Sequence, residues 1–358
     1  MRILHLDSGR HWRGGQRQVF LLAATQREHG LEPLVVAAPH SPLLSRLKTQ
    51  GVATAAVAMR ADFDVIAMRR VRRLVSRWRP DVVHAHDARA HAIALGALLA
   101  ASVPLIVTRR VPFVPKGRVK YGSRVAHFIA ISHAVADALR SGGVAAQRCT
   151  VVYSGVPTPT VEHPRDWRRE AGWPMESLLC GVVGAMTAEK GITLLREIAE
   201  RLSPPIRHRL KLVLLGGSAT GADEFGGVAA YRAGFVDAIH DAMAGLDMLW
   251  HPSGAEGLGT AVIDAMALRV PPVAFATGGL TELVEHGLSG LLAPAGDVAA
   301  FAREVERLAT DDGLRSALGA GGRARAAEFG VDRMVNGTAQ VYEAVLAARG
   351  RTGTHATP

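Results

Sequence analysis

Short, continuous apolar runs rich in β-branched residues alternate with longer helical stretches, and this rhythm is written twice along the chain. In the first half the runs fall at 3–7, 33–38, 52–57, 82–86, 105–108, 127–131 and 150–153. They lack polar alternation, which predicts strands covered on both faces, as in a parallel sheet. Between them lie helical patterns such as 16–29 and 66–79, the latter stopped by Pro80. Four prolines and no periodicity mark 155–174, after which the rhythm resumes at 178–183, 210–215, 229–235, 248–251, 273–276 and 290–292. The chain therefore reads as α/β, with two Rossmann-like doubly wound domains facing across a cleft, and ligand expected beyond the strand C-termini. The expected boundaries are a first domain at 1–157, a linker at 158–174 and a second domain at 175–330. An amphipathic helix at 331–349 is expected to pack back toward the first domain, and 350–358 to be a disordered tail.

With 358 residues, 48% hydrophobic and 21% charged, the chain has the composition of a globular protein of about two domains. That composition excludes disorder and low-complexity fibres. Two cysteines, Cys149 and Cys180, supply neither a disulfide framework nor a four-thiolate zinc site. The N-terminus lacks a long apolar leader, and the most apolar window, 92–107, is broken by Ser102 and Pro104. A cytoplasmic location without a membrane span is the expectation. The net charge of +10 divides unevenly, into +15 over 1–160 and −5 over the remainder. A basic half of this kind faces something anionic: nucleic acid, a membrane surface or a phosphorylated substrate.

The segment carrying most chemistry is Ser253-Gly-Ala-Glu256-Gly257-Leu258-Gly259-Thr260, followed by Asp264. A strand ends near His251, a glycine-rich turn follows, and a helix begins at about Leu258. Backbone amides at such a helix start bind anions, helped by the dipole and by the open approach at Gly257 and Gly259. Glu256 lies in the turn and Asp264 two helical turns further on. Two acids so spaced suit the opposite ends of a nucleotide-sugar, and equally suit a capped helix with a buried acid.

This segment resembles the E-x7-E signature of retaining glycosyltransferases of family 4, which have the GT-B fold. Other segments agree in order. They are Gly14-Gly15-Gln16, Asp81-Val-Val-His84-Ala-His86, Ala130-Ile-Ser132, Tyr153-Ser-Gly155, Gly184-Ala185-Met-Thr-Ala-Glu189-Lys190-Gly191, Thr277-Gly278-Gly279 with Glu282, and Gly287-Leu-Ser-Gly290. The resemblance covers about 1–345. It implies a donor site of Gly14, Gly15, Gly184, Lys190, Glu256, Gly257, Leu258, Gly259, Thr260 and Asp264. Within it Lys190 would meet the donor diphosphate, Glu256 the transferred sugar and Asp264 the ribose. It further implies a nucleotide-diphosphate sugar as donor substrate, no cofactor, no metal, and a glycan or glycolipid acceptor held mainly by the first domain.

The chain also departs from the family. An arginine usual five residues before the lysine is Ala185, and a histidine usual after the fifth strand is replaced by Arg109-Arg110. Arg109 or Arg110 is therefore expected to restore the missing positive charge. His86, Arg109 and Arg110 are the expected acceptor-side residues, with Glu256, His86 and Arg110 as the catalytic set. The family helix between Gly216 and Gly234 shrinks to 218–229, with five glycines in 216–227. Asp62-Phe-Asp64 has a D-x-D form but precedes a helix and reads as an N-cap. His84 and His86 share a strand face without an apparent third metal ligand.

Six arginines lie between 69 and 79, with a second basic cluster at Lys116, Arg118, Lys120 and Arg124. A solvated helix face and attachment to anionic lipid both fit this pattern. Nucleic acid fits less well, since no recognition motif or stacking platform accompanies the arginines. The combined expectation is a retaining, metal-independent glycosyltransferase acting on a cell-envelope acceptor of lipopolysaccharide type, peripheral at the inner face of the cytoplasmic membrane. A GT-B sugar-nucleotide epimerase and a non-catalytic nucleotide-sugar or glycan-binding subunit are the alternatives.

Overall fold

In a computed structural model, described for residues 1–117 and 120–353, the chain divides into two compact units. One comprises Met1–Gly155 together with Val331–Pro358, and the other Val156–Gly330. The described residues form one seven-stranded sheet in each.

The first sheet contains β1 (Arg2–Leu6), β2 (Glu32–Ala37), β3 (Ala53–Ala56), β4 (Val82–Ala85), β5 (Leu105–Arg109), β6 (His127–Ala130) and β7 (Cys149–Val151). Their order is β3-β2-β1-β4-β5-β6-β7, and each neighbouring pair is parallel. The order reverses beside β1, so β1 and β4 lie side by side although some eighty residues separate them. Their register sets His5 opposite His84. Helices cover both faces, which is why the strands read as continuous apolar runs.

The second sheet contains β8 (Leu178–Val183), β9 (Leu210–Leu215), β10 (Thr220–Phe225), β11 (Val228–Gly234), β12 (Met248–His251), β13 (Pro272–Phe275) and β14 (Leu291–Ala293). Their order is β10-β11-β9-β8-β12-β13-β14, parallel except for the antiparallel pair β10 and β11. The expected short helix at 218–229 is thus a β-hairpin. Gly226 and Gly227, at φ +57° and +83°, form its two-residue turn, and half-exposed alternation along β10 places the hairpin at the sheet edge. Five glycines in twelve residues cannot sustain a helix.

The last helix, Val331–Gly353, belongs to the first unit. Val335, Tyr342 and Val345 share a core with Ile3, Val82 and Ile106. It continues to Gly353, into the segment expected as a tail; residues 354–358 and Arg118 lie outside the described residues. Asp64 caps the helix Val65–Trp78, its Oδ1 accepting from the Ala67 N–H at 3.0 Å. No helix among the described residues is long and apolar enough to cross a membrane.

Candidate active site

In the second unit three loops at strand C-termini interlock. The loop after β8 ends in a short 3-10 turn, Ala188–Lys190, closed by Gly191 in the left-handed region. A Cβ on Gly191 would stand 2.0 Å from the Pro252 carbonyl oxygen, so only glycine lets this turn lie against the loop after β12. The Ser253 hydroxyl donates to the Glu189 carbonyl at 3.1 Å, and the Thr277 hydroxyl to the Ser253 carbonyl at 3.1 Å. Gly278 and Gly279 complete the clasp: added Cβ atoms would meet the carbonyl oxygens of Glu256 and Gly257 at 2.0 and 2.3 Å.

This clasp fixes the backbone of Glu256, and two partners, Lys190 and His251, fix its side chain. Oε2 accepts from Lys190 Nζ at 2.5 Å and from His251 Nε2 at 3.0 Å. Burial alone would raise the carboxyl pKa. The His251 hydrogen bond and charge, with Lys190, outweigh it and hold the group at about 2. Glu256 is therefore an anion throughout the physiological range, 13% exposed at its side chain, while Lys190 is 34% exposed and reaches solvent.

Gly259 takes φ +98° and opens the helix Thr260–Ala267, whose start carries no side-chain cap. Its first-turn amides are suited to an anion. Leu258 is fully buried. Asp264 is also buried, and its Oδ1 lies 3.0 Å from His240 Nε2. Gly184 adopts φ +139° immediately after β8, with Ala185 beside it. His251 and His240 were not among the expected site residues. His251 had a signal, a histidine at the strand end five positions before Glu256; His240, on a separate short helix, had none.

In the first unit Gly14 and Gly15 are the first residues of the helix Gly14–Glu28. Asp7, just after β1, accepts from the Gly9 N–H at 2.8 Å and from Gln16 Nε2 at 3.1 Å. Asp87 accepts from the Ser8 hydroxyl and caps the helix Ala88–Ala97. Arg110 faces this acidic pair and lies 3.4 Å from Ser154 Oγ. Burial, reinforced by Asp87, raises the Asp7 pKa to about 6, and burial lowers Arg110 to about 10 despite both acids. The charge of Arg110 is thus answered within its own unit. Arg109 is tied to its own loop, donating to the Tyr121 hydroxyl and the Phe113 carbonyl, each at 3.0 Å.

His86 lies beside this cluster but belongs to a buried chain of imidazoles. His86 Nε2 is 2.9 Å from His5 Nδ1, and His5 Nε2 is 2.8 Å from Gln26 Oε1. His84 is held between the Tyr342 hydroxyl at 2.6 Å and Thr108 at 2.7 Å. His5 is the third imidazole that the sequence did not bring to His84 and His86, and all three offer nitrogens within 4.8 Å of one another. Five of the six ring nitrogens have hydrogen-bond partners, leaving His86 Nδ1. Burial drives all three pKa values down, to about 4 for His5, so the chain is neutral.

On the helix Val65–Trp78, Arg69, Arg70, Arg72, Arg73 and Arg77 are exposed, as are Phe63, Val65 and Ile66 at its start. Trp78 is engaged by the Arg2 guanidinium, 5.6 Å above its ring, and Lys120 pairs with Asp62 at 3.1 Å.

Comparison with known proteins agrees with this arrangement. The family described as Glycosyltransferase Family 4 matches residues 12–159, and that described as Glycosyl transferases group 1 matches 164–325. A D-inositol 3-phosphate glycosyltransferase of Streptomyces bingchenggensis is 30% identical over 288 residues, 74% of this chain and 62% of that protein. One from Salinispora arenicola is 32% identical over 200 residues, 51% of this chain and 45% of that protein. The chain thus spans about half the length of the curated relatives it matches. Among solved structures, HepE of Anabaena, crystallised with UDP and glucose, superposes with a TM-score of 0.82 at 20% identity, over 96% of this chain and 100% of that one. With both family patterns in order, one on each sheet, the chain belongs to glycosyltransferase family 4 and has the GT-B fold.

Proposed function

We propose that the chain transfers a sugar from a nucleotide-diphosphate sugar to an anionic acceptor, with retention at the anomeric carbon. The observation that carries this reading is the ionised Glu256 held between Lys190 and His251 beneath an uncapped helix start. As the glycosidic bond breaks, the leaving diphosphate gains negative charge. Lys190 and the amides of Gly259 and Thr260 supply fixed positive partners for it, which is where electrostatic preorganisation lowers a barrier most. Glu256 is read as the acceptor of sugar hydroxyl protons, and Gly184 as a point of close backbone approach to the donor. Asp264 is read as the ribose residue, its carboxylate working with His240 because an aspartate is one methylene shorter than the family glutamate. No metal enters this reading, so EDTA is expected to leave turnover unchanged.

On the acceptor side the reading uses the polar cluster at the C-termini of β1, β4 and β5. Gly14 and Gly15 leave the helix start beside Arg110 open, and His86 and Arg110 border it. Arg109 contributes by holding the loop that follows β5. The phosphorylated polyol in the curated relatives' name suits an anionic acceptor, as does the basic first half. We place the acceptor among cell-envelope glycans and lipid-linked saccharides, with the exposed arginines of the helix Val65–Trp78 meeting anionic head groups. Each basic residue near such a surface contributes about 1 kcal/mol.

Nucleotide release from a panel of UDP-, GDP- and ADP-sugars, with and without acceptor, tests the transfer. One donor is expected to be turned over, and Glu256→Gln to abolish most of that activity. Absence of release from every donor, or release unaffected by Glu256→Gln, would overturn the assignment. Sedimentation with phosphatidylglycerol vesicles at low salt tests attachment: Arg69→Glu/Arg70→Glu/Arg73→Glu is expected to stay in the supernatant where the unaltered chain pellets.

A further inference from the structure

The edge of the first sheet opposite the Asp7, His86 and Arg110 cluster carries a cavity with a distinct chemistry. It opens at the N-terminal ends of β5 and β6, beside Leu105 and His127, and has a volume of about 620 Å³. That lies within the range of about 300–1,000 Å³ typical of small-molecule sites. Its wall is apolar where two helices converge: Leu95 and Leu98 from the end of the helix Ala88–Ala97 and the residue after it, and Val345 from Val331–Gly353. Leu99, at the same rim, is 61% exposed, an apolar side chain left in solvent. Three guanidinium groups, Arg124, Arg148 and Arg349, line the same cavity, and among the described residues no carboxylate does.

Arg148 is not a loose surface group. Arg148 donates to the carbonyls of Gly122 and Val125 and lies 5.8 Å above the Phe128 ring, so its guanidinium is held in place before any ligand arrives. Arg124 donates to the carbonyl of Leu99 at 3.5 Å, which links the charged side of the cavity to its apolar rim. His127, within the lining, is held below its ordinary pKa by burial and by the positive charge of Arg148. An apolar wall with three guanidinium groups beside it is complementary to an amphiphile with an anionic head, and arginine's planar fork favours phosphate oxygens.

We propose that this cavity binds the phosphate head and first chain segment of a single-chain alkyl phosphate, at a site separate from the one assigned to sugar transfer. The wall of Leu95, Leu98 and Val345 takes the chain, and Arg124, Arg148 and Arg349 take the head. The proposal does not rest on the glycosyl-transfer reading, and its test does not measure turnover.

Isothermal titration of the full chain with dodecyl phosphate, below its critical micelle concentration, measures the site directly. One-to-one saturable binding is expected. Inorganic phosphate and uncharged dodecyl maltoside should each bind at least about tenfold more weakly, because each lacks one half of the recognition. Laurate should also bind more weakly, and tighter binding of laurate would overturn the phosphate assignment. Ala348→Trp fills the mouth from an exposed helix position and should abolish binding. Arg124→Glu, also exposed, should weaken it at least about tenfold through charge reversal. Thermal melts of both variants accompany the titrations, and the exposure of both positions predicts unchanged midpoints. Equal affinity for dodecyl maltoside, undiminished binding by a folded Ala348→Trp variant, or no saturable binding of dodecyl phosphate would each overturn the proposal.

Discussion

Glu256 shows how a residue is made suitable for a task by its neighbours rather than by its type. A buried carboxylate without partners would rise in pKa; this one is held at about 2 because His251 and Lys190 donate to a single oxygen. Lys190 in turn is kept at the mouth of the site by Glu256, its charge available to an incoming diphosphate. Replacing Glu256 by Gln preserves shape but removes the anion. Turnover is expected to fall by about 10²- to 10³-fold, the magnitude typical of removing one preorganised electrostatic partner. Because Glu256 remains ionised well below pH 4, the variant's pH–rate profile between pH 5 and 8 should keep its shape and lose only height. A changed profile in that range would show that Glu256 titrates there, contrary to its environment. Lys190→Met should raise the donor KM and lower kcat together, since the ammonium meets the diphosphate in the ground state and more strongly as the bond breaks.

At the scale of elements, the site depends on how closely three loops approach. Gly278 sits at φ +51°, and a Cβ there would fall 2.0 Å from the Glu256 carbonyl oxygen. Gly278→Ala is expected to cost about 2–4 kcal/mol in strain and displacement, and to misplace Glu256. Gly254→Ala, on the loop that bears Glu256, meets nothing within 4 Å and should change neither melting temperature nor turnover. Equal effects of the two would remove the clasp from the account. The same comparison separates what the sequence discloses from what it conceals. Strands such as β8 and β13 are legible because burial on both faces writes them as unbroken apolar runs. β10 is not, because its half-exposed alternation and the glycines around it carry no continuous run, whereas its partner β11 is legible as the run at 229–235. Glu256 and Asp264 are visible as a local spacing. The meeting of Lys190 with Glu256, 66 positions apart, follows only from the family resemblance until β8 and β12 are seen as neighbours. His5 joins His84 and His86 through the pairing of β1 with β4, a non-local contact with no local trace.

For the molecule as a whole, the first unit is completed from both ends of the chain, and that completion creates a pH dependence. The final helix brings Tyr342 into the core beside Ile3 and Val82, where its hydroxyl holds His84, and three imidazoles are thereby sealed from water. Each has a folded pKa below the ordinary 6.5, mainly through burial. The unfolded chain therefore takes up their protons first as the pH falls. The stabilisation from these neutral histidines is complete above pH 6.5 and is lost progressively below it. Asp7 acts in the opposite sense: with a folded pKa of about 6 it binds its proton earlier in the folded state, so it partly offsets the loss between pH 6 and 4. His91, buried in the same unit and held down to about 3 mainly by burial, acts in the same sense as the three imidazoles, so the protons taken up by the unfolded chain outnumber the one taken up by Asp7 and stability falls as the pH drops toward 5. Hydrogen exchange resolved by peptide, at pH 7.5 and 5.5 with the intrinsic exchange rate corrected, reads this in the unit where it belongs. Protection of β1 and β4 should drop at the lower pH, while β8 and β12, whose unit contains no such buried chain among its described residues, should change less. His86→Asn removes one of the buried titrating imidazoles and should flatten the slope. Equal pH sensitivity of β1 and β8, or a steeper slope in His86→Asn, would show that the imidazole chain is not the group responsible.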